Sequence, residues 1–316
     1  MSMRISAIDA LQRGVLNLRA NPMLVLVQVA QGVAVMILAA AGMVPLVLAI
    51  GAGAASEIWL AGQRGWHPGQ AAELEGMIER LLEQWPILLA ALAAGGAVWT
   101  VAFLIYCWVQ AGVMGRLAAG EDQAAESPRP TVADFKVYSW PDFSADASAR
   151  IWKFFWLINL LLVAGMVVLF LIILAASLMT AVLGGGASIP AAIAVGCSLL
   201  AISLVVIFFF FAWTGVAKAQ MVVADGGVLE TFGRSLALLG RRFGGVLLLL
   251  LLFIVASVAL TIVLVPVSLA LDLAMGDSIG RQIAADLALA LIQTPINAAL
   301  TLTLSAALVA LVRGER

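Results

Sequence analysis

The run FFWLINLLLVAGMVVLFLIILAASLMTAVLGGGASIPAAIAVGCSLLAISLVVIFFFFAWTGVA, Phe154–Ala217, holds 64 residues without a charged side chain or a histidine. As a single helix it would be about 96 Å long, about three times the roughly 30 Å of hydrocarbon in a bilayer. Gly184-Gly185-Gly186, Ser188 and Pro190 interrupt it with residues that favour a turn followed by the first turn of a helix. The run therefore predicts two membrane spans, at about 154–182 and 190–216.

Two further charge-free runs precede it and two follow it, and each has the length of one span. They are Ala20–Ser56, Gln84–Gly115, Phe243–Leu271 and Leu287–Val312, with spans predicted at about 23–50, 86–112, 245–271 and 287–312. The composition agrees, since 64% of residues are hydrophobic, 11% are charged and the mean hydropathy is +1.11. We expect a single all-α integral membrane domain, residues 1–316, with six transmembrane helices arranged as three hairpins.

The basic residues indicate the orientation of these spans. With the amino terminus inside, fourteen of the 17 Lys and Arg residues fall in inner segments, and only Arg64, Arg80 and Arg281 fall in outer ones. Short inner loops are enriched in Lys and Arg in membrane proteins. The sequence therefore predicts a multi-pass protein of the bacterial inner (plasma) membrane with both termini in the cytoplasm.

A basic, partly amphipathic segment precedes each predicted hairpin, and we expect each to form a cytoplasmic interfacial helix. Setting Arg13 over Arg234 also places Leu18 over Leu239, so the following spans start at equivalent offsets, while the middle copy, 142–153, is more divergent. This predicts a threefold internal repeat. The alternative is that any multi-span protein has basic, amphipathic approaches to its membrane helices.

Two loops have residue patterns that predict their structure. In the outer loop, apolar residues at spacings of three and four predict an amphipathic helix over 68–85 that lies on the membrane surface or caps the bundle. The inner loop, 116–150, is interrupted by prolines and reads as a cytoplasmic loop without a folded domain. Its aromatic residues are expected at the cytoplasmic interface: Phe135, Tyr138, Trp140 and Phe143.

The chain lacks the residues of most membrane enzymes and carriers. Its single histidine, His67, cannot supply paired haem ligands or a zinc motif, and no nucleophile elbow or phosphate-binding loop occurs. Cys107 and Cys197 fall in predicted spans and read as small hydrophobic residues. No catalytic residue, metal site, cofactor or nucleic-acid partner is expected. A hydrolase using Glu73, Glu75 and His67 is a remote alternative.

Neutral polar residues in the spans form a candidate intramembrane polar seam. Gln293, Asn297, Thr301 and Ser305 are four residues apart, so they cover about 120° of one face of the sixth span. Gln28, Gln31, Gln110 and Asn159 are candidate companions, and Pro295 is expected to kink or loosen the helix. The seam lines a path or a pocket, or it makes hydrogen bonds between helices. In either case it marks the face expected to point inward.

A recurrent element follows the fourth span. Leu229-Glu230-Thr231-Phe232-Gly233-Arg234-Ser235-Leu236, then Gly240-Arg241-Arg242-Phe243, resembles a segment found in a broad group of six-span bacterial inner-membrane proteins. That group includes the membrane domain attached to some glycerophosphodiester phosphodiesterases. The resemblance implies a six-span fold in a membrane but no activity, because the spans leave no room for the soluble catalytic barrel.

Together these features predict a non-enzymatic scaffold, assembly factor or regulatory partner of a membrane complex. Arg234, Arg241 and Arg242 are the candidate cytoplasmic interface, and the partners are the lipid bilayer and a membrane or cytoplasmic protein. The alternative is a permease or lipid-handling protein with a neutral polar path along the sixth span.

Overall fold

The computed structural model describes residues 5–51, 85–127, 129–183, 189–224, 226–275 and 279–315, and these residues contain no strand. Eight α-helices and one 3₁₀ turn account for nearly all of them. They are α1 (Ala7–Ala20), α2 (Met23–Ile50), α3 (Trp85–Ala124), the 3₁₀ turn Val132–Phe135, α4 (Trp140–Leu183), α5 (Ile189–Ala224), α6 (Val228–Arg241), α7 (Phe243–Met275) and α8 (Ile279–Arg313).

Six of the described helices, namely α2, α3, α4, α5, α7 and α8, are long and apolar enough to cross a membrane. This confirms the six spans and the all-α membrane fold. Pro190 occupies the second position of α5, as expected for a residue that suits the first turn of a helix. The predicted break at 184–188 and the predicted outer helix over 68–85, apart from Trp85, lie outside the described residues.

The prediction of a loop over 116–150 was wrong for most of its length. Helix α3 continues to Ala124 and α4 begins at Trp140, so only about fifteen residues separate them. Helix α4 has 44 residues and is therefore about 66 Å long, roughly twice the hydrocarbon thickness. A charge ends an apolar run but does not end a helix, because Ala, Arg, Glu and Gln all favour helical structure.

Two of the three predicted interfacial segments are separate helices. Helices α1 and α6 each have 14 residues, and the next span starts within three residues of each. The middle segment, 142–153, is instead continuous with the span of α4, and the interfacial position of all three segments stays a prediction. The internal repeat itself stays a prediction.

The chain divides into two compact units, and residues Met1–Val29 and Cys107–Arg316 form the larger one. Within it α8 is the central helix, because 56% of the apolar segment of this span is buried inside the protein. The corresponding share is at most 17% for the other spans. Helix α1 crosses α8 at Gly14, where an added Cβ would lie 2.6 Å from the Thr303 carbonyl oxygen and 2.9 Å from the Ala307 nitrogen. Only glycine permits such a close approach of two backbones.

Residues Ala30–Tyr106 form the second unit. Here Gly42 and Gly95 face each other, since a Cβ on Gly95 would meet the Gly42 carbonyl oxygen. The Trp99 ring covers Gly42 and its Nε1 donates to the Ala39 carbonyl oxygen over 3.1 Å. Small residues thus bring two apolar helices together, as is common in membranes.

Candidate functional site

Charged and strongly polar side chains of the larger unit gather where its spans end. This region, which we name the charged end, comprises α1, residues 116–150, α6, the first turn of α7 and the last turn of α8. The charge-free runs between these segments carry no Asp, Glu, Lys, Arg or His. Within the described ranges, charged residues outside this region, such as Lys153 and Lys218, lie beside the charge-free runs and not inside them.

Asn21 is the hub of hydrogen bonds at the charged end, and sequence reasoning missed it. Its Nδ2 donates to the carbonyl oxygens of Phe135 (2.7 Å) and Asn17 (3.0 Å), and its Oδ1 accepts from the backbone nitrogens of Val137 (3.2 Å) and Tyr138 (3.0 Å). Asn21 is 1% exposed. One amide side chain thus satisfies the turn after the 3₁₀ segment and holds it against the end of α1.

A buried ion pair joins α1 to α3. Arg13 Nε donates to Glu121 Oε2 over 2.9 Å, and the Glu121 side chain is only 1% exposed. Its second oxygen, Oε1, has no hydrogen-bond partner among the described residues. The Arg13 guanidinium also lies 5.7 Å from the ring centroid of Phe135, and one turn later Asn17 Nδ2 donates to the Leu117 carbonyl oxygen over 3.0 Å. Two independent contacts therefore fix the register of α1 on α3.

A second ion-pair cluster joins α3 to α4. Arg116 pairs with Asp146, which also accepts from Arg150 Nη1 over 2.6 Å, and Asp142 lies 3.5 Å from Arg116. Asp122 pairs with Arg313 and so connects the end of α3 to the end of α8. The extra helical turns beyond the membrane carry the groups that cross-link the charged end.

The aromatic residues of this region had been predicted to lie at the cytoplasmic interface, but not all of them are exposed there. Phe135 and Phe143 are fully buried, whereas Trp140 is 56% exposed and stacks on Phe143 at 5.4 Å. A Cβ on Gly112 would lie 2.6 Å from the Phe143 ring, so α3 leaves space for this ring. The expectation was wrong for the two phenylalanines because they fill gaps between helices, where burial removes more apolar surface from water.

A cavity of about 240 Å³ lies between α5, α6 and α8, and we name it the arginine pocket. Its lining residues are Gln220, Arg234, Ala237, Leu238, Arg241, Val312 and Glu315. Two of the three arginines predicted as a cytoplasmic interface therefore lie together here. The third, Arg242, pairs with Glu315 and holds that carboxylate at the edge of the pocket.

Polar and ring contacts position α6 so that its arginines face the pocket. Trp213 Nε1 on α5 donates to Ser235 Oγ over 2.9 Å, and the rings of Trp213 and Phe232 lie 4.4 Å apart. Arg234 pairs with Glu230 one turn earlier on the same helix. Arg241 forms no ion pair within the part of the chain that the structure describes.

The candidate polar seam is not assembled into one path in the described residues. Asn297 and Thr301 are exposed, and Ala298 and Leu302 are the buried residues beside them, so the inward face of α8 is the neighbouring one. Ser305 Oγ donates to the Thr301 carbonyl oxygen and Asn159 Nδ2 to that of Phe155, each on its own helix. On α8 the stripe therefore lies beside the buried face, and its use as a path or as packing stays a prediction.

The companions of the seam are divided between the two units. Gln110 Nε2 donates to Gln28 Oε1 over 3.1 Å in the larger unit, and Gln31 is buried in the smaller one. Gln293 is half-buried on α8, and α8 is continuous through Pro295. The pair of glutamines therefore joins two helices, α2 and α3.

No group of three potential metal ligands occurs among the described residues, where Cys107 is buried and Cys197 is exposed. The carboxyl group of Asp134, at the 3₁₀ turn, has a shifted pKa. Hydrogen bonds from the backbone and hydroxyl of Thr131 stabilise its carboxylate and hold the pKa below its usual range. This exposed carboxylate caps a turn.

The chain matches no protein-family model, no curated protein and no solved structure, so the resemblance read from Leu229–Leu236 stays a prediction.

Proposed function

We propose that this chain is a non-enzymatic multi-pass protein that acts as a scaffold, assembly factor or regulatory partner of a membrane complex. The observation that carries the proposal is the contrast within the larger unit between uncharged spans and a densely bonded charged end. Transport coupled to ions usually needs an ionisable group at membrane depth. A rigid polar surface on a membrane anchor is instead suited to holding another protein.

The charged end offers exposed side chains suited to a partner. Helix α1 presents Ile8 (66% exposed) and Val15 (41%) on one face, and α4 presents Trp152 and Trp156 (62% and 61%). Tryptophan is enriched both at protein interfaces and at the membrane surface. We assign the α1 face to a protein partner and the α4 tryptophans to the bilayer surface.

Photo-crosslinking tests this proposal. A photoreactive residue at Ile8 or Val15 should form a stoichiometric adduct with one membrane or cytoplasmic protein in intact cells. The matched control is Val205, which is equally exposed, at 68%, but lies within a span and should crosslink to lipid. A chain that is repeatedly isolated alone in mild detergent, with equal crosslinking at all three sites, would refute the scaffold role.

We further propose a bacterial inner membrane with both termini in the cytoplasm, supported by the excess of basic residues on one side. The test is labelling of single cysteines in a chain whose Cys107 and Cys197 are replaced by serine. Glu126→Cys should resist a membrane-impermeant maleimide until cells are permeabilised, whereas Gln63→Cys in the predicted outer loop should react at once. The reverse pattern would overturn the orientation.

The alternative, a permease or lipid-handling protein with a path along the sixth span, has weaker support. Asn297 and Thr301 lie on the exposed face of α8, where they cannot line a path within this single chain. Gln293→Leu together with Asn297→Leu should therefore leave function and expression unchanged. Loss of a transport or lipid phenotype at normal expression would favour the alternative.

A further inference from the structure

Helix α6 has three distinct faces, and two of them are open. The buried face holds Thr231, Ser235, Leu238 and Leu239. About 100° away lies the charged face, with Glu230, Arg234, Ala237 and Arg241. The remaining face is exposed and apolar, with Leu229 (77% exposed), Gly233, Leu236 (44%) and Gly240. A helix that exposes leucines beside arginines is suited to the boundary between head groups and acyl chains.

The position of the arginine pocket agrees with that boundary. Gln220 lies one turn before the end of α5 at Ala224, and Val312 is in the last turn of α8. Phe243, the first residue of the next span, is 44% exposed. The pocket therefore lies where the apolar spans end, at the level of the lipid head groups.

The charges of the pocket leave one arginine uncompensated. Arg234 is paired with Glu230 on its own helix, and Glu315 is paired with Arg242. Arg241 lines the pocket and pairs with none of the described acids. Its guanidinium offers planar paired donors that match a phosphate, and the Gln220 amide adds a neutral donor.

The size of the pocket limits what can enter it. Sites for drug-sized ligands measure about 300–1,000 Å³, whereas this cavity holds about 240 Å³. It has room for a phosphate and its immediate ester groups but not for acyl chains. Those chains would need an apolar surface outside the pocket, and the exposed face of α6 with Phe243 provides one.

We propose that the arginine pocket binds the phosphate of an anionic phospholipid, whose acyl chains lie along Leu229, Leu236 and Phe243. Basic pockets between membrane helices are known to bind such head groups. Arg241 supplies the main charge, Arg234 and Gln220 add donors, and Arg242 keeps the Glu315 carboxylate from repelling the ligand. The site is independent of any protein partner.

Native mass spectrometry of the purified, delipidated full chain tests this proposal. Added phosphatidylglycerol should give a one-to-one adduct, and phosphatidylcholine of the same chain length should bind at least fivefold less. Arg241→Gln should reduce phosphatidylglycerol binding at least fivefold. The matched control is Arg150→Gln, which removes a charge at the same charged end but outside the pocket and should leave binding unchanged.

A second variant keeps the test independent of arginine removal. Ala237→Glu places a carboxylate in the pocket from an exposed helical position, so the chain should fold and yet lose the adduct. The elution volume and melting temperature of each variant confirm folding. Inorganic phosphate at millimolar concentration should not displace the lipid.

Three outcomes would overturn the proposal. Equal binding of phosphatidylglycerol by wild type, Arg241→Gln and Ala237→Glu would show that lipid binds elsewhere. Displacement by inorganic phosphate would make the ligand a free anion. An acidic protein segment that crosslinks to position 237 and excludes the lipid would assign the pocket to a protein.

Discussion

The charged end and the spans of the larger unit use polar side chains in opposite ways. At the charged end, Asn21 reaches Phe135 and Arg13 reaches Glu121, across more than 100 residues of sequence. In the spans, hydroxyls return to their own helix four residues earlier, as Ser198, Thr214 and Thr261 do with Ala194, Phe210 and Ser257. The Gln28–Gln110 bond is an exception.

The difference teaches where the arrangement of helices is specified. The bilayer stabilises each span as a helix, because an unpaired backbone group in hydrocarbon costs several kcal/mol. It does not select neighbours, since lipid tails are as apolar as leucine. The directional contacts of the charged end supply that selection. Substitutions there should therefore cost more than substitutions in the spans.

Asn21→Leu should cause the largest loss. It leaves the backbone nitrogens of Val137 and Tyr138 and the Phe135 carbonyl without their partner, and each unsatisfied group costs about 1–3 kcal/mol. We expect a loss of about 4 kcal/mol, measured as the midpoint of unfolding in mixed detergent micelles. Asn159→Leu, which only removes a bond to its own helix, should cost under about 1 kcal/mol. Equal losses of stability in the two variants would show that polar side chains in the spans matter as much as those at the charged end.

Glu121→Leu should cost about 3 kcal/mol, because it leaves the Arg13 charge without a partner. Arg13 is 17% exposed, so the cost lies at the lower end of the range for buried pairs. The double variant Arg13→Leu with Glu121→Leu should recover most of this loss, as a double-mutant cycle will measure. Additive losses would mean that the pair is not coupled.

Gly14→Ala should cost about 2 kcal/mol, since its Cβ would press against backbone atoms of Thr303 and Ala307, which cannot rotate away. Gly233→Ala is the matched control. Its Cβ would meet nothing within 4 Å, so the helical preference for alanine should stabilise α6 by up to about 1 kcal/mol. Thermal unfolding should therefore shift in opposite directions. A Gly14→Ala variant as stable as the wild-type protein would contradict the close crossing of α1 on α8.

Thr261→Val should have the smallest effect, below about 0.5 kcal/mol, because the exposed hydroxyl bonds only to its own helix. The same unfolding assay measures it beside Asn21→Leu. If Thr261→Val costs as much as Gly14→Ala, polar side chains within the spans also help to select the arrangement of helices.

The sequence predicted the spans well because one physical property, the absence of charge, is sufficient to recognise them. It could not predict where the helices end. Leu117–Ala124 and Trp140–Lys153 are helical although they hold or adjoin charges, because helix formation does not stop where hydrocarbon stops. Leu117–Ala124 contacts α1, and Trp140–Lys153 packs on the preceding turns of α3.

The contents of the charged end were harder to predict for a different reason. Asn21 is recognisable in the sequence only as the residue before Pro22, and nothing there places the Phe135 carbonyl beside it. Glu121 is one of 18 acidic residues, and its pairing with Arg13 depends on how α1 crosses α3. The arginines of α6 were found because they are clustered in sequence. Their pocket required α5 and α8 as well.

The crossing of α1 on α8 has a consequence for how the protein is made. Glu121 follows Arg13 by 108 residues, whereas Thr303 follows Gly14 by nearly 300. At about 5–20 residues per second, α1 meets α3 within roughly 5–20 seconds but waits on the order of 15–60 seconds for α8. Until the ribosome has delivered the last span, Gly14 and the apolar side of α1 have no final partner. A quality-control protease or insertion chaperone that recognises α1 would act in that interval.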